Sequence, residues 1–292
     1  MKLGYFGINM GPHSRPDDLI ETAQLAEAAG IESLWTGEHV VLPSPQLAAG
    51  QPVPPDHPYL DSLLALSWAA AHTTNLLLGT GIVVLPHHNP VVFAKQVATL
   101  DVLSRGRVRL GVGAGYQERE FAAVGVAHEH RGPLTDEYLD ALEQLWYQPA
   151  PEYHGRFVDF GGIDAHPRPV QRPIPVIVGG HVKASLRRAV ARGHGWYGFM
   201  TTPESTARCL DALRATASRI ERPTALGPLE ITVTPYGPLT RDGARAYADL
   251  GVDRIVPWHI DWDRFPGDAV PPSDWRGAAP AIESDLRAID GA

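Results

Sequence analysis

The sequence predicts an α/β protein of the (β/α)₈ TIM-barrel class, organised as a single domain with loop insertions. Eight strand-like segments alternate with helical segments along 292 residues, which suits one barrel of about 250 residues with additions. Several strands are near-continuous apolar runs, as expected of strands buried on both faces of a parallel sheet. A doubly wound open sheet is the alternative, since a single sequence determines topology only weakly.

The stretch Asn75–Glu120 contains the clearest strand–helix–strand unit. Two apolar runs, Leu76–Leu85 and Val108–Val112, flank a helical pattern over Pro90–Ser104. Asn89 is placed to cap this helix. Two parallel strands joined by a helix form one βαβ unit, and the rest of the chain repeats that pattern.

The remaining elements follow the same alternation. Further strands are predicted at Lys2–Ile8, Glu32–Thr36, Pro175–Val178, Trp196–Met200, Leu229–Thr234 and Asp253–Pro257. Further helices are predicted from Arg15 to near Gly30, at Leu60–His72, Glu118–Val124, Leu134–Tyr147 and Val182–Arg192, from Thr202 to about Ile220, and at Arg241–Leu250 and Ala279–Ile289. Residues 40–59 and 148–173 are predicted to be insertions, with Gly155–Pro173 irregular, and residues 261–292 a C-terminal tail.

Composition excludes several classes of protein. The formal net charge of −8 argues against a nucleic-acid or anionic-membrane surface. The single cysteine, Cys209, excludes an intrachain disulfide and a cysteine-based zinc site. The N-terminus lacks a long apolar segment and no apolar run could span a bilayer, so we expect a cytoplasmic protein. Without a GxSxG elbow, an HExxH motif or a Walker loop, hydrolase and NTPase functions have no support.

In such a barrel, functional groups lie at the carboxyl ends of the strands. Glu38 and His39 directly follow the second strand. A histidine there either exchanges a proton near neutral pH or only satisfies a loop carbonyl. The segment Gly79-Thr80-Gly81-Ile82 interrupts the third strand, where glycines mark a bulge, a close approach of a ligand, or tight packing.

Two more groups of glycines lie at the carboxyl ends of predicted strands. Gly111, Gly113 and Gly115 lack the spacing of a dinucleotide fingerprint, and they indicate room for a flat ligand against the backbone. Gly179-Gly180 precedes a helix that begins near Val182, where free N–H groups would bind phosphate, with Lys183 and Arg187 adding charge. A tight turn without a ligand is the other interpretation.

Histidine pairs suggest a metal site only weakly. The pairs are His87-His88 and His128 with His130, and no third ligand has a defined spacing. We therefore predict no metal site. A metal-dependent barrel hydrolase that uses His128 and His130 is the corresponding alternative.

Three segments in this order resemble the luciferase-like monooxygenase superfamily. They are LAEAAGIESLWTGEH, then LGTGIVVLPHHNPVVFAKQVATLDVLSRGRVRLGVGAGY, then PIPVIVGG followed by LRRAVARGHGW. These bacterial flavin and deazaflavin oxidoreductases are TIM barrels, and the chain looks most like the branch that uses coenzyme F420. The resemblance implies a two-electron oxidoreductase acting on a small organic substrate, and a homodimer.

The resemblance also implies roles for individual residues. Glu38-His39 matches the family's acid–histidine pair beside the cofactor ring. Gly81-Ile82 matches a bulge in the third strand, whose non-prolyl cis peptide backs that ring. Gly179-Gly180 matches the phosphate-binding turn. The resemblance thus predicts cofactor contacts from Gly79, Thr80, Gly81, Ile82, Gly113, Ala114, Gly115, Val178, Gly179, Gly180, His181 and Lys183.

Two departures argue against the substrate of the family's sugar-phosphate dehydrogenase. This chain has Tyr116 where that enzyme has Glu, and Leu42 and Pro43 where its loop has Trp. Tyr116 is either a substitute proton donor or a stacking wall. We expect hydride transfer between F420 and a small organic substrate, with His39 as the proton partner. The alternatives are an FMN-dependent monooxygenase that uses reduced flavin, and a flavin-binding protein without turnover.

Overall fold

The computed structural model describes residues 1–45, 53–260, 262 and 278–289. The strands are β1 (Lys2–Phe6), β2 (Ser33–Thr36), β3 (Leu77–Thr80), β4 (Val83–Val84), β5 (Val108–Gly113), β6 (Tyr153–His154), β7 (Asp159–Phe160), β8 (Val176–Gly179), β9 (Gly195–Thr201), β10 (Glu230–Pro235) and β11 (Arg254–Ile255). The α-helices are α1 (Pro16–Ala28), α2 (Ser62–His72), α3 (Pro90–Leu103), α4 (Glu118–Ala123), α5 (Arg131–Tyr147), α6 (Lys183–Arg192), α7 (Pro203–Ala217), α8 (Arg241–Asp249) and α9 (Ala278–Ile289).

Eight parallel strands close into a barrel. Their order around the barrel is β1, β2, β3, β5, β8, β9, β10 and β11. The ring closes where β11 pairs with β1, with Lys2 opposite Arg254 and Leu3 opposite Ile255. This closure confirms the predicted (β/α)₈ class and excludes the doubly wound alternative, whose sheet would have two open edges.

The third barrel strand is interrupted rather than continuous over Leu76–Leu85. β3 pairs with β5 through Leu78 and Val108, and β4 pairs with the same strand further along, with Val83 opposite Val112. Between the two pieces, the peptide bond that joins Gly81 to Ile82 is cis. The predicted interruption and its cis peptide are both confirmed at this position.

The outer helices begin close to where the capping residues predict. The Asn89 side chain accepts hydrogen bonds from two amides in the first turn of α3, at 3.0 and 3.2 Å. Thr202 and Ser205 form a capping box at the start of α7. α5 begins at Arg131 rather than Leu134, because the first turn of a helix accepts Pro133 without losing a hydrogen bond. Among the described helices, none is both long and apolar enough to cross a bilayer.

The second predicted insertion contains a small antiparallel hairpin. Tyr153 pairs with Phe160 and His154 with Asp159, and the amide of Gly155 closes the turn onto the carbonyl of Val158 at 2.8 Å. The prediction that Gly155–Pro173 is irregular is therefore wrong at β7, because two residues are too short a run to show strand alternation. Residues 46–52 of the first insertion, and 261, 263–277 and 290–292 of the predicted tail, lie outside the described residues.

The two ends of the barrel differ in chemistry. At the amino ends of the strands, the fully buried guanidinium of Arg254 lies between the carboxylates of Glu32 and Glu230, with closest contacts of 2.5 Å to each. A buried cation needs such partners in a medium of low dielectric constant. Farther along the barrel, the Trp35 ring stacks on Tyr197 with centroids 5.4 Å apart. In the described part of the chain, these contacts fill the barrel interior, and the cavity lined by Phe6 and Phe199 lies toward the carboxyl ends of the strands.

Candidate active site

A cavity of about 320 Å³ opens at the carboxyl ends of the barrel strands. It is lined by Phe6, Met10, Gly37, Glu38, His39, Tyr59, Gly81, Ile82, Val84, Gly113, Ala114, Gly115, Tyr116, Glu120, Gly179, Gly180, His181, Val182, Ser185, Phe199 and Trp258. Segments that follow strands from both sides of the barrel therefore converge on one space. This is the end of the barrel at which the sequence predicts function.

Most of the predicted site residues lie in this cavity. Those that line it are Glu38, His39, Tyr116, Gly81, Ile82, Gly113, Ala114, Gly115, Gly179, Gly180 and His181. The other four predicted cofactor contacts, Gly79, Thr80, Val178 and Lys183, are not among the lining residues. These four residues instead face the barrel interior, the hydrophobic core or the solvent.

Gly79 and Thr80 serve the barrel interior. A Cβ atom on Gly79 would lie 2.5 Å from the Trp35 ring, so this glycine makes room for the indole. The hydroxyl of Thr80 is buried and donates to the carbonyl of Gly111 at 2.7 Å. Both residues precede the break in the third strand, and the cavity begins only after that break.

Val178 and Lys183 flank the glycine turn but face away from the cavity. The Val178 side chain is fully buried in the hydrophobic core. Lys183 is the first residue of α6 and its side chain is exposed to solvent. The prediction placed both by sequence adjacency to Gly179-Gly180, whereas the strand pleat and the helical turn direct their side chains elsewhere.

The glycines beneath the cavity make room for the side chain of Ile82. A Cβ atom on Gly113 would lie 2.6 Å from Cδ1 of Ile82, and one on Gly179 would lie 2.8 Å from Cγ2. Gly111 is tighter still, because its Cβ atom would stand 1.7 Å from the carbonyl oxygen of Thr80. Packing of the interrupted strand thus explains these glycines. Gly113 also lines the cavity, so the expectation that these glycines leave space for a flat ligand stays a prediction.

His39 is held by a buried glutamate that the sequence analysis did not single out. Nδ1 of His39 lies 3.2 Å from Oε2 of Glu120, and the Glu120 side chain is only 2% exposed. The other carboxylate oxygen, Oε1, accepts a hydrogen bond from the amide of Val40 at 2.7 Å. Because a carboxylate only accepts hydrogen bonds, it keeps the proton on Nδ1 and leaves Nε2 as the acceptor.

Glu38 is engaged with the protein rather than with the open cavity. Its Oε2 accepts a hydrogen bond from the amide of Val84 at 2.5 Å, and its Oε1 accepts one from Nε2 of His88 at 3.0 Å. Burial disfavours the protonated form of His88, but the hydrogen bond and the charge of Glu38 outweigh it and raise the His88 pKa above its ordinary value. Glu38 therefore fixes the segment that follows the cis peptide.

Two tyrosine rings stand edge-on to the imidazole of His39. The ring centroid of Tyr59 is 5.3 Å from that of His39, and the centroid of Tyr116 is 6.2 Å from it. Burial raises the pKa of Tyr59, so its hydroxyl stays protonated at neutral pH. Tyr116 lies at the rim, with 54% of its surface exposed. The polar groups of this side of the cavity are thus gathered around one histidine.

The other side of the cavity is formed by the glycine turn and the start of α6. Gly180 has φ +117°, a conformation that glycine adopts without a steric penalty. No side chain caps α6, and Val182 and Ser185 from its first turn line the cavity. The first amides of a helix lack intrahelical partners and carry the positive end of its dipole. This end of the cavity is therefore suited to an anion such as a phosphate.

The histidine pairs pack against aromatic rings. His87 and His128 both contact the ring of Phe121, with centroids 4.5 and 5.1 Å away. His130 lies 5.2 Å from the ring of Phe157. Within the described part of the chain, no group of three or more His, Cys, Asp or Glu side chains could hold a metal ion. The metal-dependent hydrolase alternative finds no ligand set there.

The sequence profile of the luciferase-like monooxygenase family matches residues 2–286. The chain belongs to this family. The uncharacterized protein Rv0953c of Mycobacterium tuberculosis is 33% identical over 264 residues, which cover 86% of this chain and 90% of that protein. The oxygenase component of the flavin-dependent trigonelline monooxygenase of Acinetobacter baylyi is 31% identical over 168 residues, covering 55% of this chain and 42% of that protein.

A solved structure of similar fold is that of an F420-dependent secondary alcohol dehydrogenase in complex with an F420–acetone adduct. It matches with a TM-score of 0.74 over 99% of this chain and 98% of that one, at 16% sequence identity. At this identity the likeness concerns the fold. The two chains therefore share this barrel fold over nearly their whole lengths.

The sequence analysis missed several side chains that line or support this luciferase-like cavity. Met10 and Trp258 follow β1 and β11, and Glu120 follows β5, so a systematic search beyond every strand end would have included all three. Tyr59 lies at the end of the first insertion, and no local pattern marks it. His88 was considered only as a metal ligand, whereas it is the partner of Glu38.

Proposed function

We propose that this chain is a coenzyme F420-dependent oxidoreductase, which transfers a hydride between the deazaflavin and a small organic substrate. The observation that carries the proposal is the division of the cavity. His39, held by the buried Glu120, lines one side, and the uncapped start of α6 lines the other. Membership of the luciferase-like family and the full-length likeness to an F420-dependent alcohol dehydrogenase support it.

The residues present fit a flavin-like cofactor. The first amides of α6, beside Gly179 and Gly180, would hold its phosphate. Ile82 and Gly115 line the cavity and would offer an apolar surface for its ring. When bound, the deazaflavin would supply a two-electron carrier that gives or accepts a hydride.

The chain's own side chains would hold the substrate and move its proton. Nε2 of His39 is the acceptor that would take a proton from a substrate hydroxyl, because Glu120 keeps the other ring nitrogen protonated. Glu38 anchors the amide of Val84 and so keeps the floor of the cavity in place. The predicted catalytic contribution of Glu38 is therefore one of position rather than of contact with the substrate.

Titration of the purified protein with F420 and, separately, with FMN tests the choice of cofactor. Each binding curve follows the absorbance of the cofactor ring. We expect saturable binding of F420 at concentrations well below those needed for FMN. Binding of FMN alone would overturn the proposal.

An FMN-dependent monooxygenase is the second candidate, and one observation favours it. The flavin-dependent oxygenase component is 31% identical to the chain, a closer sequence relationship than the 16% of the F420-dependent enzyme. The two candidates differ in their need for oxygen, because deazaflavins do not readily activate it. Substrate turnover under anaerobic conditions would support the F420-dependent reaction, and strict dependence on oxygen would support the monooxygenase.

A further inference from the structure

We infer that Asp285, on the C-terminal helix α9, is a positioning residue of the cavity, which acts through His259 on the ring of Trp258. Trp258 lines the cavity, and His259 is the next residue in the chain. No described side chain of α9 lines the cavity itself. The inference rests on the proposed function only for what the cavity binds, since the contacts that place Trp258 are independent of it.

Trp258 belongs to an aromatic wall of the cavity. Its ring centroid lies 5.6 Å from that of Phe6 and 5.8 Å from that of Phe199, and both of these residues line the cavity as well. The backbone of Gly7 passes close beside the indole, because a Cβ atom on Gly7 would lie 3.4 Å from Nε1 of Trp258. In an interior packed this closely, a small shift of the chain beside the indole changes the shape of the cavity.

The residue after Trp258 is tied to α9 by a short contact between polar groups. Nε2 of His259 lies 2.9 Å from Oδ2 of Asp285, and the two side chains are 19% and 4% exposed. The geometry is not that of an aligned hydrogen bond, so the attraction is electrostatic. A contact that fixes the ring of His259 also restrains the backbone that this residue shares with Trp258.

Asp285 occupies a position on α9 where an apolar side chain would pack without electrostatic cost. Ile282 and Ala288 lie one turn before it and one turn after it, and all three residues are buried. This helix packs against α1, α8 and β1. A carboxylate in such a face costs free energy that one partner only partly returns, so the pair with His259 adds little to stability. Its effect is to specify one arrangement of the helix and the histidine ring.

His259 also packs on a buried pair of polar rings. The centroid of the Tyr5 ring lies 5.2 Å from that of His259, and the Tyr5 hydroxyl lies 3.3 Å from Nε2 of His13. Nδ1 of His13 lies 3.1 Å from the carbonyl oxygen of Gly7, the residue beside the indole. Burial lowers the pKa of His13 to about 4, so its ring is neutral at pH 7. One cluster therefore restrains both backbone segments that flank the indole.

NMR of the indole N–H groups in nitrogen-labelled protein reports the surroundings of Trp258 directly. The chain has seven tryptophans, and the signal that is missing from Trp258→Phe assigns this one. Asp285→Ala removes the carboxylate, and Asp285→Asn, which keeps its shape, is the second variant in case the alanine protein does not fold. Glu283→Gln is the matched control, because that side chain is 68% exposed on the same helix and pairs with Arg287.

We expect both Asp285 variants to shift or broaden the Trp258 signal, and Glu283→Gln to leave it in place. The signal of Trp68, which is exposed on α2, should stay unchanged in all of them. In His259→Ala protein, the further change Asp285→Ala should not move the Trp258 signal again, because Asp285 acts through that ring. A second shift in the double variant would overturn the inference. A loss of stability in urea without any change of the Trp258 signal would also overturn it, since Asp285 would then be purely structural.

Separate titrations with F420 and with FMN measure the consequence for the cavity. For the cofactor that the wild type binds more tightly, we expect Asp285→Ala to weaken binding by about three- to tenfold, the effect of one aromatic contact. Glu283→Gln should leave the affinity unchanged. Unchanged affinity in Asp285→Ala would overturn the inference. If the Trp258 signal responds as expected but the wild type binds neither cofactor, the proposed function fails and the positioning of Trp258 by Asp285 is supported.

Discussion

Glu120 fixes the imidazole of His39 across 81 residues of sequence, with 3.2 Å between Oε2 and Nδ1. Its second oxygen binds the amide of Val40, so one buried carboxylate holds both the ring and the backbone that follows it. A histidine restrained in this way has one tautomer and one orientation. We interpret Glu120 as a positioning residue that acts through His39.

Replacing Glu120 with glutamine should change the tautomer of His39. The amide nitrogen of glutamine can donate to Nδ1, which places the ring proton on Nε2 and removes the acceptor from the cavity. We expect turnover to fall by about tenfold or more, with little change in cofactor affinity. Nitrogen NMR of labelled histidine reports the tautomer directly. A variant that loses stability but keeps the wild-type tautomer and turnover would show a purely structural role.

Replacing His39 with alanine should lower turnover by about 100-fold or more, because general acid–base groups typically contribute that much. Cofactor affinity should change by less than about threefold. The exposed His154 on the hairpin provides the control, and His154→Ala should leave both quantities unchanged. Unchanged turnover in His39→Ala would remove this residue from the mechanism.

The local features of the fold could be predicted because neighbours in sequence determine them. Strand–helix alternation indicates the barrel, Asn89 caps α3, and the glycines around the cis peptide mark the break in the third strand. The hairpin at β6 and β7 could not be predicted in this way, because two-residue strands carry no periodicity.

From the sequence, the site could be predicted only for residues that lie close to the end of one strand. His39 follows a strand and was therefore visible, whereas its contact with Glu120 depends on how two distant loops fold over the barrel. Thr80 and Lys183 were expected at the cofactor because they lie close in sequence to the glycines at the strand ends, and those glycines line the cavity. The direction of each side chain follows from the barrel and helix geometry, which adjacency in sequence does not specify.

The packing of Ile82 on Gly113 predicts that a methyl group at position 113 would destabilise the fold. Gly113→Ala would place a Cβ atom 2.6 Å from Cδ1 of Ile82, so we expect a loss of about 1–3 kcal/mol in the free energy of unfolding. The second variant, Ile82→Val, removes Cδ1 and should reduce that loss in the double variant. Urea unfolding of the four proteins measures the coupling.

Gly132 in α5 provides the matched control for this series. A Cβ atom there would meet nothing within 4 Å, and the residue is helical. Gly132→Ala should therefore be neutral or stabilising by up to about 1 kcal/mol. If Gly113→Ala behaves like Gly132→Ala, the contact with Ile82 does not require a glycine.

Substitutions of Tyr116 can distinguish its two predicted roles, a proton donor and a stacking wall, because only the first role needs the hydroxyl. The ring lies edge-on to His39 at the rim of the cavity, and 54% of the residue is exposed. We expect a wall rather than a proton donor, so Tyr116→Phe should keep turnover within about threefold of the wild type, well short of a general acid's contribution. Tyr116→Ala should raise the KM for the substrate because it removes the ring. Equal losses of turnover in both variants would assign the proton to the hydroxyl.

The pair formed by Glu38 and His88 predicts how stability depends on pH. The raised pKa of His88 means that the folded protein binds this proton more tightly than the unfolded chain does. The stabilisation is therefore fully present below the ordinary histidine pKa of 6.5 and is lost as the pH rises through the raised value. We expect the free energy of unfolding of His88→Gln to be lower than that of the wild type by about 1–3 kcal/mol at pH values below the ordinary histidine pKa of 6.5.

Denaturant unfolding of both proteins at several pH values between about 5 and 9 measures this difference. His154→Gln is the control, because its partner Asp159 and the histidine are 77% and 69% exposed, and exposed ion pairs contribute little to stability. The difference between wild type and His88→Gln should shrink as the pH rises, and that for His154→Gln should stay small throughout. A difference that grows with pH would mean that His88 stabilises the fold in its neutral form, and that Glu38 is held by the amide of Val84 rather than by charge.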